Sequence, residues 1–359
     1  MIAGNAIVFT DGILDTTNAK TCHGLLRGGS RFNILGVIDS VNYGRDAGEV
    51  MDVKPIGIHV FKSVNEFFKQ SPQKPVYFIV GVAFAGGQLP ESCRSEIIQA
   101  MKKGMSIVCG LHQFLSDDVE YQRVAKENGV DLIDIRKPLP PGKLRFWSGD
   151  IYSVKTPKIA VLGTDCAAGK RTTCTLLSEA CNNHGIKTEM IYTGQTGWMQ
   201  GYKHGFIFDA TANDFIGGEI EKAIMECDKE SFPDLILIEG QSSLRNPSGP
   251  CGSEFLLSGN VNGVILHHVP SRTHFIDFET LGCAIPPIED EINLIRMYGA
   301  DTLVVTLSEE GWENQKMRAY RDQLAEKLSI PVIRPLTDGV EGLIPIILEF
   351  MKRNSSSGR

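Results

Sequence analysis

Short apolar runs alternate along the chain with longer amphipathic segments, the pattern of βαβ units wound around a mainly parallel sheet. In the first half, apolar runs at 6–10, 34–39, 56–61, 76–82, 106–109 and 132–135 predict strands, and 17–26, 64–70, 91–103 and 118–128 predict helices. Gly104 and Gly129 follow the last two helices and suit their C-caps. Pro138-Leu-Pro-Pro-Gly142 interrupts the pattern, and the mixed stretch as far as Pro157 reads as a linker or crossing segment. Beyond it, strands are expected at 159–162, 189–193, 235–239, 264–268, 302–306 and 332–334, followed by a closing helix at 343–352 and a polar, disordered tail at 354–359. The expected fold class is α/β, with an N-terminal Rossmann-like parallel-sheet domain over residues 1–150 and a C-terminal P-loop NTPase-like α/β domain over 151–353.

The second half is organised around Lys158 to Leu177. An apolar strand stops at Gly163, a loop of small residues follows, and Gly169-Lys170 opens a segment with helical spacing of Leu176, Leu177 and Ala180. Strand, loop and helix in this order are the context of a phosphate cradle, in which backbone N–H groups and the unpaired donors of the helix N-terminus surround an anion and Lys170 adds a positive charge; the plainer alternative is a Gly-rich turn that only lets strand and helix pack closely. Gly163, Thr164, Asp165, Gly169, Lys170, Arg171, Thr172 and Thr173 are therefore candidates for cofactor binding. The match to G-x-x-x-x-G-K-[ST] is imperfect, because Gly163 lies one residue early and Arg171 fills the Ser/Thr slot. Thr172 or Thr173 must then supply any metal-facing hydroxyl. Leu235-Ile-Leu-Ile-Glu239 is a strand ending in a carboxylate that can hold Mg²⁺ beside such a loop. Asp165 is either a second oxygen ligand or the centre of an Asx-turn that shapes the loop. The metal candidates are Asp165, Thr172 and Glu239.

Other polar clusters follow strand ends, where α/β sheets bind ligands. Thr193-Gly-Gln-Thr-Gly197 and Gln241-Ser-Ser-Leu-Arg-Asn-Pro247 offer Gln195 and Gln241 to a cofactor. His267-His268 with Arg272-Thr-His274 offers His268 and His274 as general bases and Arg272 as a carboxylate clamp. The plainer alternatives are solvated loops and, for a strand-end histidine, a satisfied core residue. In the first half, Asp39 closes a strand where dinucleotide folds place a carboxylate on ribose. However, no G-x-G-x-x-G follows the first strand, so a dinucleotide is not expected by that fingerprint. Gly86-Gly87 ahead of the Glu91 helix either receives an anion or makes a plain turn.

Composition narrows the partners. With 36 Lys+Arg against 43 Asp+Glu the net charge is −7, and no stretch joins basic residues to aromatics, which argues against nucleic acid and anionic membrane. Nine cysteines without a C-x-x-C pair read as reduced thiols in a cytoplasmic protein. No segment resembles a signal peptide or a membrane span. Histidine spacing gives no zinc motif, and no nucleophile-elbow pattern is present. A small-molecule substrate, an amino acid or carboxylate, and a homo-oligomer are expected.

Taken together, Gly163-Thr-Asp-Cys-Ala-Ala-Gly-Lys-Arg-Thr-Thr173, Thr193-Gly-Gln-Thr-Gly197, Glu239-Gly-Gln241, Arg272-Thr-His274, Lys20-Thr-x-His-Gly-Leu-Leu26, Asp46-Ala-Gly-Glu49 and Gly110-Leu-His-Gln-Phe-Leu-Ser-Asp-Asp118 resemble a two-domain family of formerly unknown function. That family includes D-glutamate N-acetyltransferases, and the resemblance runs over almost the whole chain. It implies acetyl transfer to a D-amino acid, with acetyl-CoA or a nucleotide held at the P-loop. The loop and the Glu239-Gly240 strand end are also similar to those of dethiobiotin synthetase, which implies ATP and Mg²⁺ served by Asp165, Lys170 and Glu239. Arg171 stands where that family has Thr. An ATP-dependent ligase or kinase acting on a small carboxylate, and a nucleotide-sensing module, are the rival expectations.

Overall fold

The computed structural model describes residues 2–51 and 53–356. It divides into two compact units, Met1–Pro138 with Gln195–Gly201, and Leu139–Gly194 with Tyr202–Arg359.

The first unit carries β1 (Gly4–Phe9), β2 (Phe32–Ile38), β3 (Val60–Phe61), β4 (Tyr77–Val80), β5 (Ser106–Cys109) and β6 (Leu132–Asp134), in the sheet order β3-β2-β1-β4-β5-β6. Every pairing is parallel, and the order is that of the Rossmann fold. Alternation along each strand feeds two cores. Ile7, Phe9, Phe78, Val80 and Ile107 pack on one face, and Ala6, Val8, Ile79 and Val108 on the other. Burial on both faces explains why these strands read as continuous apolar runs.

The run 56–61 is strand only at Val60–Phe61. Ile56 and Gly57 donate their N–H groups to the Asp46 carboxylate, and Gly57 turns to φ +77°, so the chain before residue 60 follows that carboxylate and not the ladder. Asp39 is fully buried. It accepts from the Thr10 hydroxyl at 2.7 Å and from the N–H groups of Leu14, Val41 and Asn42. All its acceptor capacity is used in joining the loop after β1 to the turn after β2, which leaves none for a ribose.

The second unit carries β7 (Lys158–Gly163), β8 (Thr188–Tyr192), β9 (His204–Gly205), β10 (Leu235–Glu239), β11 (Gly263–His268), β12 (Asp301–Leu307) and β13 (Val332–Ile333), all parallel, in the order β13-β12-β11-β7-β10-β8-β9. Its main core gathers Ala160, Leu162, Ile236, Ile238, Val264 and Leu266 under the helices Asn213–Ser231, Ile288–Met297 and Asn314–Leu328. The stretch read as a linker packs with this unit. Arg145 N–H donates to Glu219, and Glu221 accepts from Ser148 N–H and Oγ–H and from Ile151 N–H. Those two buried acids fix the stretch to the Asn213–Ser231 helix, so the packing border falls at Pro138/Leu139. The closing helix runs Ile344–Ser356, taking in residues 354–356 that composition assigned to the tail; residues 357–359 lie outside the described residues. No helix among the described residues is long and apolar enough to cross a membrane.

Candidate phosphate-binding site

Sheet order decides the neighbours of the loop after β7. With β11 on one side and β10 on the other, Gly163 pairs with His267 and Val161 with Glu239, so both polar strand ends flank residues 163–170. The loop closes at Gly169, whose φ of +119° is open only to glycine and where a Cβ would come within 2.9 Å of His267 Nε2. Ala167 is also left-handed, at φ +47°. The helix Lys170–Asn183 follows. Among the described residues, the N–H groups of residues 167–172 find no acceptor, and they lie in succession in the loop and first turn at a helix N-terminus.

Asp165 is the loop's internal anchor and is fully buried. One carboxylate oxygen accepts from Cys166 N–H at 2.7 Å and Asn246 Nδ2 at 3.4 Å. The other accepts from Arg272 Nη1 and Ile276 N–H, both at 3.0 Å. Asp165 thus shapes the loop through four donors of the chain, three of them far along the sequence. Arg272 also donates to the Cys166 carbonyl, and Glu310 takes its remaining fork at 3.1 and 2.6 Å. Arg272, expected as a clamp for a substrate carboxylate, is thus already engaged with two acids of the chain itself.

Lys170 donates to the Asp165 and Ser242 carbonyls at 2.6 and 2.8 Å. Burial lowers its pKa, with Cys166 and Asp165 drawing it back up, and an arriving anion would favour its charged form. Arg171 leans toward the end of β10. Its Nη1 lies 3.5 Å from Glu239 Oε1, and its side chain is 26% exposed. Glu239 is buried and also receives Thr193 N–H; burial raises its pKa while Arg171 pulls it down.

The strand-end histidines hold the loop from below. His267 places Nδ1 near the Thr173 and Thr306 hydroxyls, at 3.1 and 2.8 Å, and its carbonyl accepts Thr164 N–H. His268 meets the Thr164 hydroxyl at 2.9 Å and Tyr320 at 3.4 Å. Burial, with the nearby Lys170 charge, pushes His267 down to about 3, and burial pushes His268 down to about 4. Both are neutral at pH 7. His274 is half-buried, with Nδ1 at the Thr273 hydroxyl, on the segment that Ile276 and Arg272 fasten to Asp165. Gln241 donates to the Thr193 hydroxyl at 2.9 Å. Gln195 belongs to the first unit, where it opens the short helix Gln195–Gln200 and packs on Gly110.

A depressed histidine pKa makes stability depend on pH. The unfolded imidazoles take up protons near 6.5, whereas the folded ones stay neutral down to about 4 and about 3. The stability they contribute is whole above 6.5 and is lost as pH falls towards those values. Urea unfolding at pH 5 should show a loss of about 2 kcal/mol per histidine relative to pH 7, and His268→Gln should remove about half of that dependence.

The residues suit a phosphate and do not suit Mg²⁺. A divalent ion of this type wants several oxygens at near-octahedral positions. Of the three residues expected to serve it, Asp165 is taken up by four donors, Thr172 is exposed, and Glu239 already faces a guanidinium. Sequence reasoning marked the 241–247 cluster but gave no role to its Ser242 and Asn246, and did not single out Glu310 or Tyr320. Position at or after a strand end is the signal that could have found Glu310, which follows β12 as Asn246 follows β10.

Fold and loop together define a two-domain α/β protein, Rossmann-like in its first half and a P-loop protein in its second. The chain belongs to the DUF1611 family: its P-loop domain of unknown function matches residues 145–344, and its Rossmann-like domain of unknown function matches 40–138. A D-glutamate N-acetyltransferase of Pseudoalteromonas sp is 29% identical over 274 residues, 74% of this chain and 80% of that one. A second D-glutamate N-acetyltransferase, from Tritonibacter scottomollicae, is 27% identical over 273 residues, 74% of this chain and 79% of that one. The crystal structure of a DUF1611 family protein from Anabaena variabilis superposes with a TM-score of 0.86 at 24% identity, over 97% of this chain and 99% of that one, and shares the fold.

Proposed function

We propose that the protein transfers the acetyl group of acetyl-CoA to the amine of a glutamate-like D-amino acid, holding the donor by its phosphates in the 163–173 loop. The observation that carries the reading is that loop, with the free donors of residues 167–172 around a buried Lys170. The similarity to two D-glutamate N-acetyltransferases supports the choice of reaction. In the reaction the deprotonated amine attacks the thioester carbonyl carbon. A C–N bond forms, the C–S bond breaks, and the departing thiolate takes up the proton that the amine releases.

The chain's residues divide the work. Lys170 and the loop N–H groups receive phosphate. Thr164, held by His268, and Asp165, held by Arg272, keep the loop in shape. His274 is the less buried histidine of the pair expected to act as base, and it is the residue that accepts the ammonium's proton.

The test follows thiol release from acetyl-CoA with D- and L-glutamate, with mass spectrometry of the N-acetyl product. Release with D-glutamate at least about tenfold faster than with L-glutamate is the expected result. His274→Ala should lower kcat about 100-fold with little change in the KM for acetyl-CoA. Formation of ADP from ATP and a carboxylate, with no thiol release, would favour the ligase or kinase. Nucleotide binding without any turnover would favour the sensor.

A further inference from the structure

We infer that the Arg171 guanidinium, seated against Glu239, does at this loop the charge-neutralising work that Mg²⁺ does at other phosphate loops, so the protein takes its ligand's diphosphate as a metal-free anion. The inference rests on the phosphate-loop reading above and adds to it which cation faces the ligand.

A polyphosphate at a P-loop ordinarily arrives with Mg²⁺, held by the hydroxyl after the Lys and by a strand-end acid. Here both parts of that arrangement are altered together. The hydroxyl position is Arg171, and the acid, Glu239, has that same side chain 3.5 Å away. A Mg²⁺ ion at Glu239 would add two positive charges beside Arg171 and Lys170, with a single carboxylate to offset them. Asp165 cannot supply a second, because four donors already use its two oxygens.

The pair also leaves Arg171 able to bind. Its contact with Glu239 is longer than a close hydrogen bond and engages one edge of the guanidinium, while a quarter of the side chain stays exposed. A planar fork with five donors matches phosphate oxygens in pairs, which a hydroxyl in the same position could not do. Glu239 then has a role without metal. It is the buried counter-charge that holds the fork beside the loop. The preferred ligand is a diphosphate ester that needs no divalent ion, the class to which CoA thioesters belong.

Calorimetric titration of acetyl-CoA and of ADP into the full chain, once in EDTA and once in Mg²⁺, tests the inference. Wild type should bind acetyl-CoA with affinities in the two buffers that agree within about threefold. Arg171→Thr should lose roughly tenfold or more in EDTA and recover part of that loss in Mg²⁺, whereas Arg171→Lys should remain indifferent to Mg²⁺. Circular dichroism checks that each variant is folded; if Arg171→Thr is not, the two wild-type titrations decide alone. Wild-type binding that tightens tenfold or more with Mg²⁺ overturns the inference and leaves the phosphate-loop reading standing. Absence of binding by either ligand in either buffer overturns both.

Discussion

Replacing Asp165 with alanine should destabilise the second unit by about 3–5 kcal/mol, the range for breaking a buried ion pair and leaving its partners unpaired. The substitution removes the acceptor of Cys166 N–H, Asn246, Arg272 Nη1 and Ile276 N–H in a site that is fully buried. Two backbone N–H groups would be left without acceptors, and Arg272 would keep only the Cys166 carbonyl and the half-exposed Glu310. Asp165→Asn keeps the volume but turns an amide NH₂ toward donors, so it should recover less than half of the loss. Urea unfolding of the full chain, followed by circular dichroism, measures both. A change under about 1 kcal/mol for the alanine variant would show that the contacts around Asp165 do not hold the loop.

The largest effect on binding is expected from Lys170→Ala. A charge-assisted hydrogen bond contributes about 1.5–3 kcal/mol, so affinity for acetyl-CoA should fall roughly 10- to 150-fold. Stability should change far less. Removing a buried ammonium relieves a desolvation cost, although it leaves the Asp165 and Ser242 carbonyls without their donor. The depressed pKa of Lys170 adds a second signature. Because the ligand favours the charged form, affinity in wild type should weaken as pH rises through a value below that of an ordinary lysine, and the alanine variant should lack this slope.

The parts of the molecule that could be read from sequence are those whose cause is local. Parallel strands buried on both faces must be apolar at successive positions, so β1, β4, β7, β10 and β11 announce themselves. The phosphate loop does so through Gly169-Lys170 and the helical spacing after it. The run 56–61 was equally apolar at Ile56 and Ile58, but Asp46, ten residues earlier, captures its backbone donors. Distance along the chain hides the rest. The partners that decide the role of Asp165 lie up to 111 positions away, and nothing in Arg272-Thr-His274 reveals that Arg272 turns toward the loop and not toward a substrate. The direction of Arg171 could not be settled from its own helix either, because the acid that draws it inward is Glu239, at the end of β10. Gln195 read as part of a strand-end loop, whereas Gln195–Gln200 is helical and packs in the first unit.

The central claim is that the loop around Lys170 holds an acyl donor by its phosphates. It is tested most directly by comparing kcat/KM for acetyl-CoA and for S-acetylpantetheine, which keeps the thioester and lacks every phosphate, in wild type and in Lys170→Ala. In wild type the truncation should lower kcat/KM by about 100-fold or more. In the variant it should cost no more than about tenfold, because the largest part of the interaction it removes, the Lys170 charge, is already absent while the loop N–H groups and Arg171 remain. Equal losses in the two proteins would mean that Lys170 and the donor's phosphates act independently, and would contradict the claim.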